Sequence, residues 1–395
     1  MASTPTAEAR LVFRVADPAA TAAEVGTLAA EVADWTRAAQ LADAEMATAS
    51  VWRALRGAGV TPPATVGEHL RRATMVSDFR MQRLAQRLAE TTAAFGAAGV
   101  PVLLLKGAAL GALVDPTFRA RPMSDLDVLV RPGDVPAAIA ALAAAGWHQT
   151  ADEAVHEMVG EAHHHLPPFL DPRLPGTRIE LHVALFSEDH SFRVDEHDLL
   201  RDARPAPPPF NGALVPTPEH LMLHACIHFA WQHTLLFGSW RTFRLVGAVA
   251  GVPGFSWERF LALARTARAV TSAYWTLRLA QRLCGLSVPA PVLAALTPPT
   301  PAFLRAAIER HIIAANVPGE GTASPSLGLS RLLWRAALRP RWSGHRTPAR
   351  WANDDRWARA LQGEDAHEPL WDRVRRHSRS VGQWRDFVRF AFFGR

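Results

Sequence analysis

Cysteine and long hydrophobic runs are both scarce in this chain of 395 residues. The two cysteines, Cys226 and Cys284, are too few for a disulfide framework, and their apolar surroundings favour buried free thiols. No apolar run reaches the roughly 18 residues that a membrane-spanning helix requires, because Lys106 interrupts the most hydrophobic stretch. The first six residues also lack the charged start and apolar core of a signal peptide. We therefore expect a cytoplasmic protein with no membrane partner.

Lysine is the rarest of the charged residues, since Lys106 is the only lysine among 43 basic residues. The chain is rich in alanine, arginine and proline, as expected for a GC-rich genome in which lysine codons drift to arginine. A compact ammonium on a thin stem and a wide planar guanidinium are not interchangeable. The surviving lysine therefore indicates a role that arginine cannot fill.

Positive charge is concentrated at the C-terminal end. Residues 331–395 hold 15 Arg against 7 Asp and Glu, whereas the rest of the chain sums to −2. The same segment holds six of the 13 tryptophans. Arginine interleaved with tryptophan can bind nucleic acid through phosphate contacts and base stacking. We favour helix packing, with the arginines extended along the surface, and keep nucleic-acid binding as the alternative.

Periodicity and turn signals divide the chain into six regions. They are a flexible leader (residues 1–20), an N-terminal helical region (21–98), an α/β domain (99–203), a proline-rich linker (204–216), a helical domain (217–330) and a basic Trp/Arg-rich helical tail (331–395). The fifth region begins at Thr217-Pro218-Glu219, where a capping residue, an early proline and an acid predict a helix start.

The region 99–203 has the pattern of a small mixed-sheet domain. Residues 100–105 form a continuous apolar run, which is typical of a strand buried on both faces. Residues 125–130 predict a second strand, and the alternation of apolar and polar positions over 178–185 predicts another with one face in the core. Helices between these strands complete the pattern. The sequence thus predicts an α+β fold, with helical regions on both sides of the sheet domain.

Carboxylates lie on two of the predicted strands. Asp125 and Asp127 are two residues apart, so both side chains project from the same face, and Glu180 and His182 share a face in the same way. Adjacent carboxylates repel each other unless a cation such as Mg²⁺ neutralises them. If the two strands are neighbours, Glu180 completes a cluster of three carboxylates. Such a cluster, holding one or two Mg²⁺ ions, serves phosphoryl or nucleotidyl transfer.

A second motif, Lys106-Gly107, follows the first buried strand about 20 residues before the aspartates. Backbone N–H groups at a helix start can bind phosphate, and a glycine allows close approach of the ligand. Lys106 can add a point charge to the same phosphates. Arg119 and Arg121 can clamp phosphate or pair with the carboxylates, although both can equally be surface arginines.

Together these motifs resemble the nucleotidyltransferase superfamily that includes polymerase β-like and antibiotic-modifying enzymes, and within it an uncharacterised bacterial branch. The resemblance covers about residues 70–250 and rests on three motifs. They are Leu105-Lys106-Gly107, Arg121-Pro122-Met123-Ser124-Asp125-Leu126-Asp127-Val128-Leu129-Val130 and Glu180-Leu181-His182-Val183.

The resemblance implies a minimal nucleotidyltransferase domain that moves a nucleotidyl group from a nucleoside triphosphate, such as ATP, to a hydroxyl-bearing acceptor. It implies Asp125 and Asp127 as metal ligands and Glu180 as the third carboxylate or the general base. The residues expected to bind the nucleotide are Lys106, Gly107, Arg121 and Ser124. The acceptor, which can be a small molecule, a peptide, a protein or an RNA end, is not identified by the sequence.

Histidines are expected along the same cleft. His163, His164 and His165 are consecutive, and His220, His224 and His228 are spaced four apart on the helix that starts at Thr217. We expect His164, His165, His182 and His224 to line the cleft. An exposed loop for the first group, and satisfied core histidines for the second, are the alternatives.

Two other classes of function remain open at this stage. One is an inactive copy of the fold that acts as a binding or antitoxin-like protein, and the other is a nucleic-acid-binding accessory protein that uses the tail.

Overall fold

The computed structural model describes residues 5–149, 164–186, 192–233, 235 and 238–317. The predicted basic tail (331–395) and the end of the predicted helical domain (318–330) lie outside the described residues, as does His163. Within the described ranges the protein is an α+β fold in which a mixed sheet carries helices from both ends of the chain.

The N-terminal region is helical, as predicted. Its helices are α1 (Ala7–Arg14), α2 (Ala22–Ala30), α3 (Trp35–Ala44), α4 (Thr48–Gly57) and the long α5 (Ala64–Ala97). Local signals start two of them: Thr21 and Glu24 form a capping box at α2, and the Asp34 side chain accepts a hydrogen bond from the backbone of Arg37 at α3.

The prediction of a flexible leader over residues 1–20 is wrong for the described part of that segment. Helix α1 buries Leu11, Val12 and Phe13 completely. Its backbone is also held by a residue far along the chain, since the indole Nε1 of Trp240 donates a 2.9 Å hydrogen bond to the carbonyl of Val12. The partners that order α1 are more than 200 residues away, so a local pattern could not indicate them.

Seven strands within the described residues form one mixed sheet in the order β3-β4-β5-β2-β1-β7-β6. They are β1 (Val102–Leu104), β2 (Asp125–Leu129), β3 (His148–Gln149), β4 (Phe169–Leu170), β5 (Arg178–His182), β6 (Arg204–Pro205) and β7 (Ala213–Val215). The central strands β1 and β2 are antiparallel to each other, while β2 pairs with β5, and β1 with β7, in parallel. Helices α6 (Lys106–Val114), α7 (Val135–Ala144) and α8 (Glu196–Asp202) connect them.

The proline-rich segment 204–216 is part of this sheet, which corrects its prediction as a linker. Strand β6 pairs with β7 in antiparallel fashion at the edge of the sheet. An edge strand tolerates a proline such as Pro205, because its missing N–H can face away from the ladder. Phe210 and Val215 are buried in the core, so the segment adds apolar packing that its proline content concealed.

The C-terminal helices pack against the sheet domain and against α1. They are α9 (Pro218–Ile227), α10 (Ser239–Ala250), α11 (Trp257–Thr266), α12 (Val270–Cys284), α13 (Ala290–Leu296) and α14 (Ala302–Asn316), and a π-helical turn (His228–Gln232) follows α9. Both cysteines are buried free thiols, as predicted. Among the described residues, no helix combines the length and the apolar character needed to cross a membrane.

Candidate active site

The predicted carboxylates lie on two neighbouring parallel strands. Strands β2 and β5 pair in a register that sets Asp127 beside Glu180 and Asp125 beside Arg178. Leu126 and Val128, which alternate with the aspartates, are fully buried on the opposite face. The condition under which Glu180 joins the two aspartates, that the strands are neighbours, is therefore met.

Asp127 is the most buried member of the cluster and has two partners at one oxygen. Its Oδ1 accepts a 2.7 Å hydrogen bond from Nζ of Lys106, and Nε2 of His182 lies 3.0 Å from the same atom. Burial alone would raise the pKa of Asp127, but the charge of Lys106 and the hydrogen bond with His182 hold that pKa well below its usual range. Asp127 is thus ionised throughout the neutral range.

Lys106 reaches Asp127 from the junction of β1 and α6. It is the first residue of α6 and has a φ of 44°, in the left-handed region where a residue with a side chain costs roughly 1–2 kcal/mol. The preceding N–H, of Leu105, donates to the backbone carbonyl of Asp127 at 2.9 Å, which fixes the junction against β2. Although burial acts to lower the pKa of Lys106, the charges of Asp127, Glu180 and Asp125 raise it above the usual value.

Glu180 lies beside Asp127 but differs from it in electrostatics. Burial and the negative charge of Asp127 raise the pKa of Glu180. Its Oε1 accepts a 3.0 Å hydrogen bond from Nε of Arg178, and Oε2 lies 3.8 Å from Nε2 of His182. Unlike that of Asp127, the environment of Glu180 therefore favours taking up a proton.

Arg178 connects the two outer carboxylates and was not singled out from the sequence. Besides its hydrogen bond to Glu180, its Nη2 lies 3.6 Å from Oδ2 of Asp125. The signal was present in the alternation of 178, 180 and 182 along one strand face, but its use required the pairing of β5 with β2. Asp125 itself is half-buried at the solvent side of the cluster.

Three of these side chains could hold a metal ion together. One ligand atom each from Asp127, Glu180 and His182 lies within 4.8 Å of the others. The remaining ring nitrogen of His182, Nδ1, is buried and has no hydrogen-bond partner among the described residues. Two carboxylates and an imidazole fit a divalent cation. His182, which was expected only to line the cleft, is therefore one of three possible metal ligands. We call Asp127, Glu180 and His182 the donor group. Asp125 flanks this group on the same strand face as Asp127.

Of the predicted nucleotide-binding residues, Lys106, Gly107 and Arg121 meet at the start of α6, while Ser124 directly precedes β2. A Cβ atom at Gly107 would lie 2.3 Å from Nη1 of Arg121 and 3.0 Å from the sulfur of Met123, so only glycine allows the guanidinium to lie against the helix. Burial, followed by the nearby charge of Arg241, lowers the pKa of Arg121 to about 10. The carbonyl of Ser124 accepts a 3.4 Å hydrogen bond from the N–H of Arg178, and the Ser124 side chain is half-buried.

Arg119 is placed differently from Arg121. Its guanidinium is half exposed and lies 3.9 Å from Asp78 on α5 rather than against the carboxylate cluster. The structure therefore brings Arg121, but not Arg119, to the start of α6.

Histidines form a wall beside the donor group. The rings of His164 and His165 lie 5.2 and 5.3 Å from that of His182, because the segment 164–166 hydrogen-bonds along β5. His224 on α9 is buried, and its pKa is lowered to about 3 by burial and by the charge of Lys106. His233 was not singled out from the sequence, yet burial, Lys106 and Arg241 lower its pKa to about 4. His224 and His233 can therefore donate or accept hydrogen bonds without adding charge.

Comparison with known proteins agrees with this geometry. A family model described as an uncharacterised nucleotidyltransferase matches residues 31–285, which include the sheet, Lys106, both aspartates, Glu180 and the histidine wall. Neither a curated protein nor a solved structure matches the chain. The match spans well over half of the sequence, and it supports a function in nucleotidyl transfer. The chain belongs to this uncharacterised nucleotidyltransferase family.

Proposed function

We propose that this protein is a divalent-metal-dependent enzyme that moves a nucleotidyl group from a nucleoside triphosphate to a hydroxyl-bearing acceptor. The observation that carries the proposal is the pairing of β2 with β5, which sets Asp127 beside Glu180 within reach of Lys106. A cluster of carboxylates next to a helix start that offers an ammonium and backbone N–H groups suits phosphate chemistry.

Asp125, Asp127 and Glu180 are the proposed carboxylates of the metal site, with His182 as an additional ligand. Mg²⁺ is the expected ion, and a bound divalent cation would supply charge neutralisation at the phosphates and a lower pKa for the attacking hydroxyl. Arg178 keeps the outer carboxylates oriented through its contacts with Glu180 and Asp125.

The donor triphosphate lies in this proposal at the start of α6. Lys106, the backbone at Gly107, Arg121 and the Ser124 segment bind its phosphates. Lys106 contacts Asp127 and therefore lies next to the phosphorus that reacts. Its ammonium is compact enough to fit between a carboxylate and a phosphate, which explains why arginine has not replaced it here.

In the transfer step, the acceptor oxygen forms a bond to the α-phosphorus while the bond from that phosphorus to the bridging oxygen of pyrophosphate breaks. The acceptor hydroxyl loses its proton, and Glu180 is the proposed proton acceptor because its carboxylate lies beside Asp127 on the neighbouring strand. The acceptor lies along the wall of His164, His165 and His224, where imidazoles can hydrogen-bond to hydroxyl groups.

The proposal is tested by calorimetric titration of each nucleoside triphosphate, with Mg²⁺, into wild-type protein and an Asp125→Asn/Asp127→Asn double variant. Metal-dependent binding that disappears in the double variant is the expected result, and it identifies the donor. Asp198→Asn, at a half-exposed aspartate on α8 that pairs with Arg201, is the matched control and should leave binding unchanged. If the folded wild-type protein binds no nucleotide, the proposal is wrong and a binding protein that retains only the fold is the better description.

A further inference from the structure

A second arginine, Arg241, lies beside Arg121 although it is 120 residues away in the chain. It is the third residue of α10, which packs against α6. The carbonyl of Arg241 accepts a 3.2 Å hydrogen bond from Nε of Arg121, so the backbone of α10 holds the Arg121 guanidinium in place. The guanidinium of Arg241 itself lies against Gly238, just before the start of the same helix.

The two guanidinium groups place two positive charges near each other. Both residues are half-buried, and the charge of Arg241 is close enough to help lower the pKa of Arg121. In the part of the chain that the structure describes, neither guanidinium lies within 4.0 Å of a carboxylate oxygen, although other arginines pair widely. Half-buried like charges without a counterion are costly, and a bound anion would remove that cost.

Glu45, a carboxylate of the N-terminal region, does not supply this counterion. Glu45 feels the charge of Arg241, but its oxygens accept hydrogen bonds from the Ser239 hydroxyl and the Trp240 N–H at the start of α10. Asp125 and Asp127 also act on Arg121 electrostatically, but they lie in the cluster that is engaged by Arg178, Lys106 and His182.

The position of the pair relative to the reacting centre indicates which anion it takes. Nη1 of Arg121 lies against Gly107, the residue that follows Lys106 on α6. Lys106 contacts Asp127, so Arg121 lies one helix residue from the lysine that reaches the carboxylates. His233 is near both groups, since Lys106 and Arg241 as well as the aspartates act on its pKa.

We infer that Arg121 and Arg241 form a binding site for a pyrophosphate group, the part of the triphosphate that leaves in the transfer reaction. Planar guanidinium groups donate paired hydrogen bonds that match phosphate oxygens. The inference rests on the proposed function for its place in the reaction, but the anion site itself is independent of transfer activity. It adds Arg241, from the C-terminal helices, as a determinant of triphosphate over monophosphate.

The inference is tested by titrating inorganic pyrophosphate into wild-type protein and Arg241 variants. Arg241→Gln keeps the carbonyl that holds Arg121 and should weaken binding by roughly tenfold, as expected for the loss of a charged hydrogen bond. Arg241→Lys restores the charge and should recover part of the affinity. Arg282→Gln, at an exposed arginine that pairs with Glu309, controls for the change in net charge and should bind as wild type does.

A second measurement uses the wild-type protein alone, so it holds even if Arg241→Gln fails to fold. Pyrophosphate should protect Arg121 and Arg241 from modification by phenylglyoxal, as read by mass spectrometry of peptides, while Arg282 continues to react. Arg241 that stays fully reactive, or Arg241→Gln that folds and binds pyrophosphate as wild type does, would overturn the inference. Arg241-dependent pyrophosphate binding without any nucleotide binding would instead refute only the proposed function.

Discussion

The ammonium nitrogen of Lys106 lies 2.7 Å from Oδ1 of Asp127, the same oxygen that lies 3.0 Å from Nε2 of His182. A divalent cation that used this oxygen would meet the charge of Lys106 at a distance where like charges repel by several kcal/mol, about 4 kcal/mol at 4 Å for unit charges near a protein surface. Lys106 and a metal ion bound here would therefore compete for Asp127, while the proposed triphosphate would offer Lys106 another anionic partner.

Replacement of Lys106 separates its competition with a metal ion from its proposed contact with the triphosphate. We expect Lys106→Met to bind Mn²⁺ at least about tenfold more tightly than wild type in the absence of nucleotide, because the competing ammonium is gone. The same variant should bind nucleoside triphosphate more weakly. Electron paramagnetic resonance of free Mn²⁺ measures the first effect and calorimetry the second. Weaker Mn²⁺ binding by folded Lys106→Met would show that Lys106 supports the metal site instead.

Gly107→Ala tests the close approach of Arg121 to α6. The new methyl group would lie 2.3 Å from Nη1 of Arg121, so the guanidinium must move. We expect a loss of roughly tenfold in triphosphate affinity with no change in Mn²⁺ affinity. Gly57→Ala on α4 is the control, because no atom lies within 4 Å of its added Cβ and a helical alanine is favoured by about 0.5–1 kcal/mol. Equal affinities in the two variants would exclude a role for this contact.

His224 makes stability depend on pH. The unfolded chain binds a proton at His224 near pH 6.5, whereas burial and Lys106 lower the folded pKa to about 3. Protons therefore favour the unfolded chain below pH 6.5, and the loss of stability from this group reaches roughly 3 kcal/mol by pH 4. In His224→Leu we expect a correspondingly flatter dependence between pH 6.5 and 4, measured by urea unfolding. Parallel curves for the two proteins would contradict this assignment.

Asp171 is a buried carboxylate with a structural role, distinct from the cluster at the site. It pairs with Arg87, which is 2% exposed and also packs 5.0 Å from the centre of the Trp147 ring. Asp171→Ala leaves this guanidinium without its buried partner and should cost about 3–5 kcal/mol of unfolding free energy. Glu90→Ala removes the half-exposed partner of Arg87 and should cost less than about 1 kcal/mol.

In the same pair of variants, nucleotide affinity measured below the melting temperature should remain that of wild type. A loss of affinity in folded Asp171→Ala would place Asp171 in the binding machinery.

Much of the site could be predicted from local patterns. Alternation along a strand is a property of the extended backbone, so the shared face of Asp125 and Asp127, and that of Glu180 and His182, followed from their spacing. The isolation of Lys106 among arginines indicated its importance without any coordinates. The prediction of an α+β fold is likewise confirmed.

Composition was misleading where packing came from distant residues. The segment 1–20 was predicted to be a leader although Thr6 caps α1 and Glu8 lies in its first turn, and Trp240 and the buried face of α1 hold it in place. The prolines of 204–216 indicated a linker, although the segment completes the sheet edge beside β1. In both cases apolar burial against remote parts of the chain orders a segment whose composition did not indicate it.

The sequence by itself determined which residues share a strand face and which single lysine stands apart, because these properties depend only on spacing and residue type. Only the tertiary structure decided that β5 lies beside β2, which brings His182 and Arg178 to Asp127 and Asp125. It also decided that Arg241 lies beside Arg121. Contacts of this kind depend on how separate elements pack, and packing is set by the whole core rather than by any local stretch.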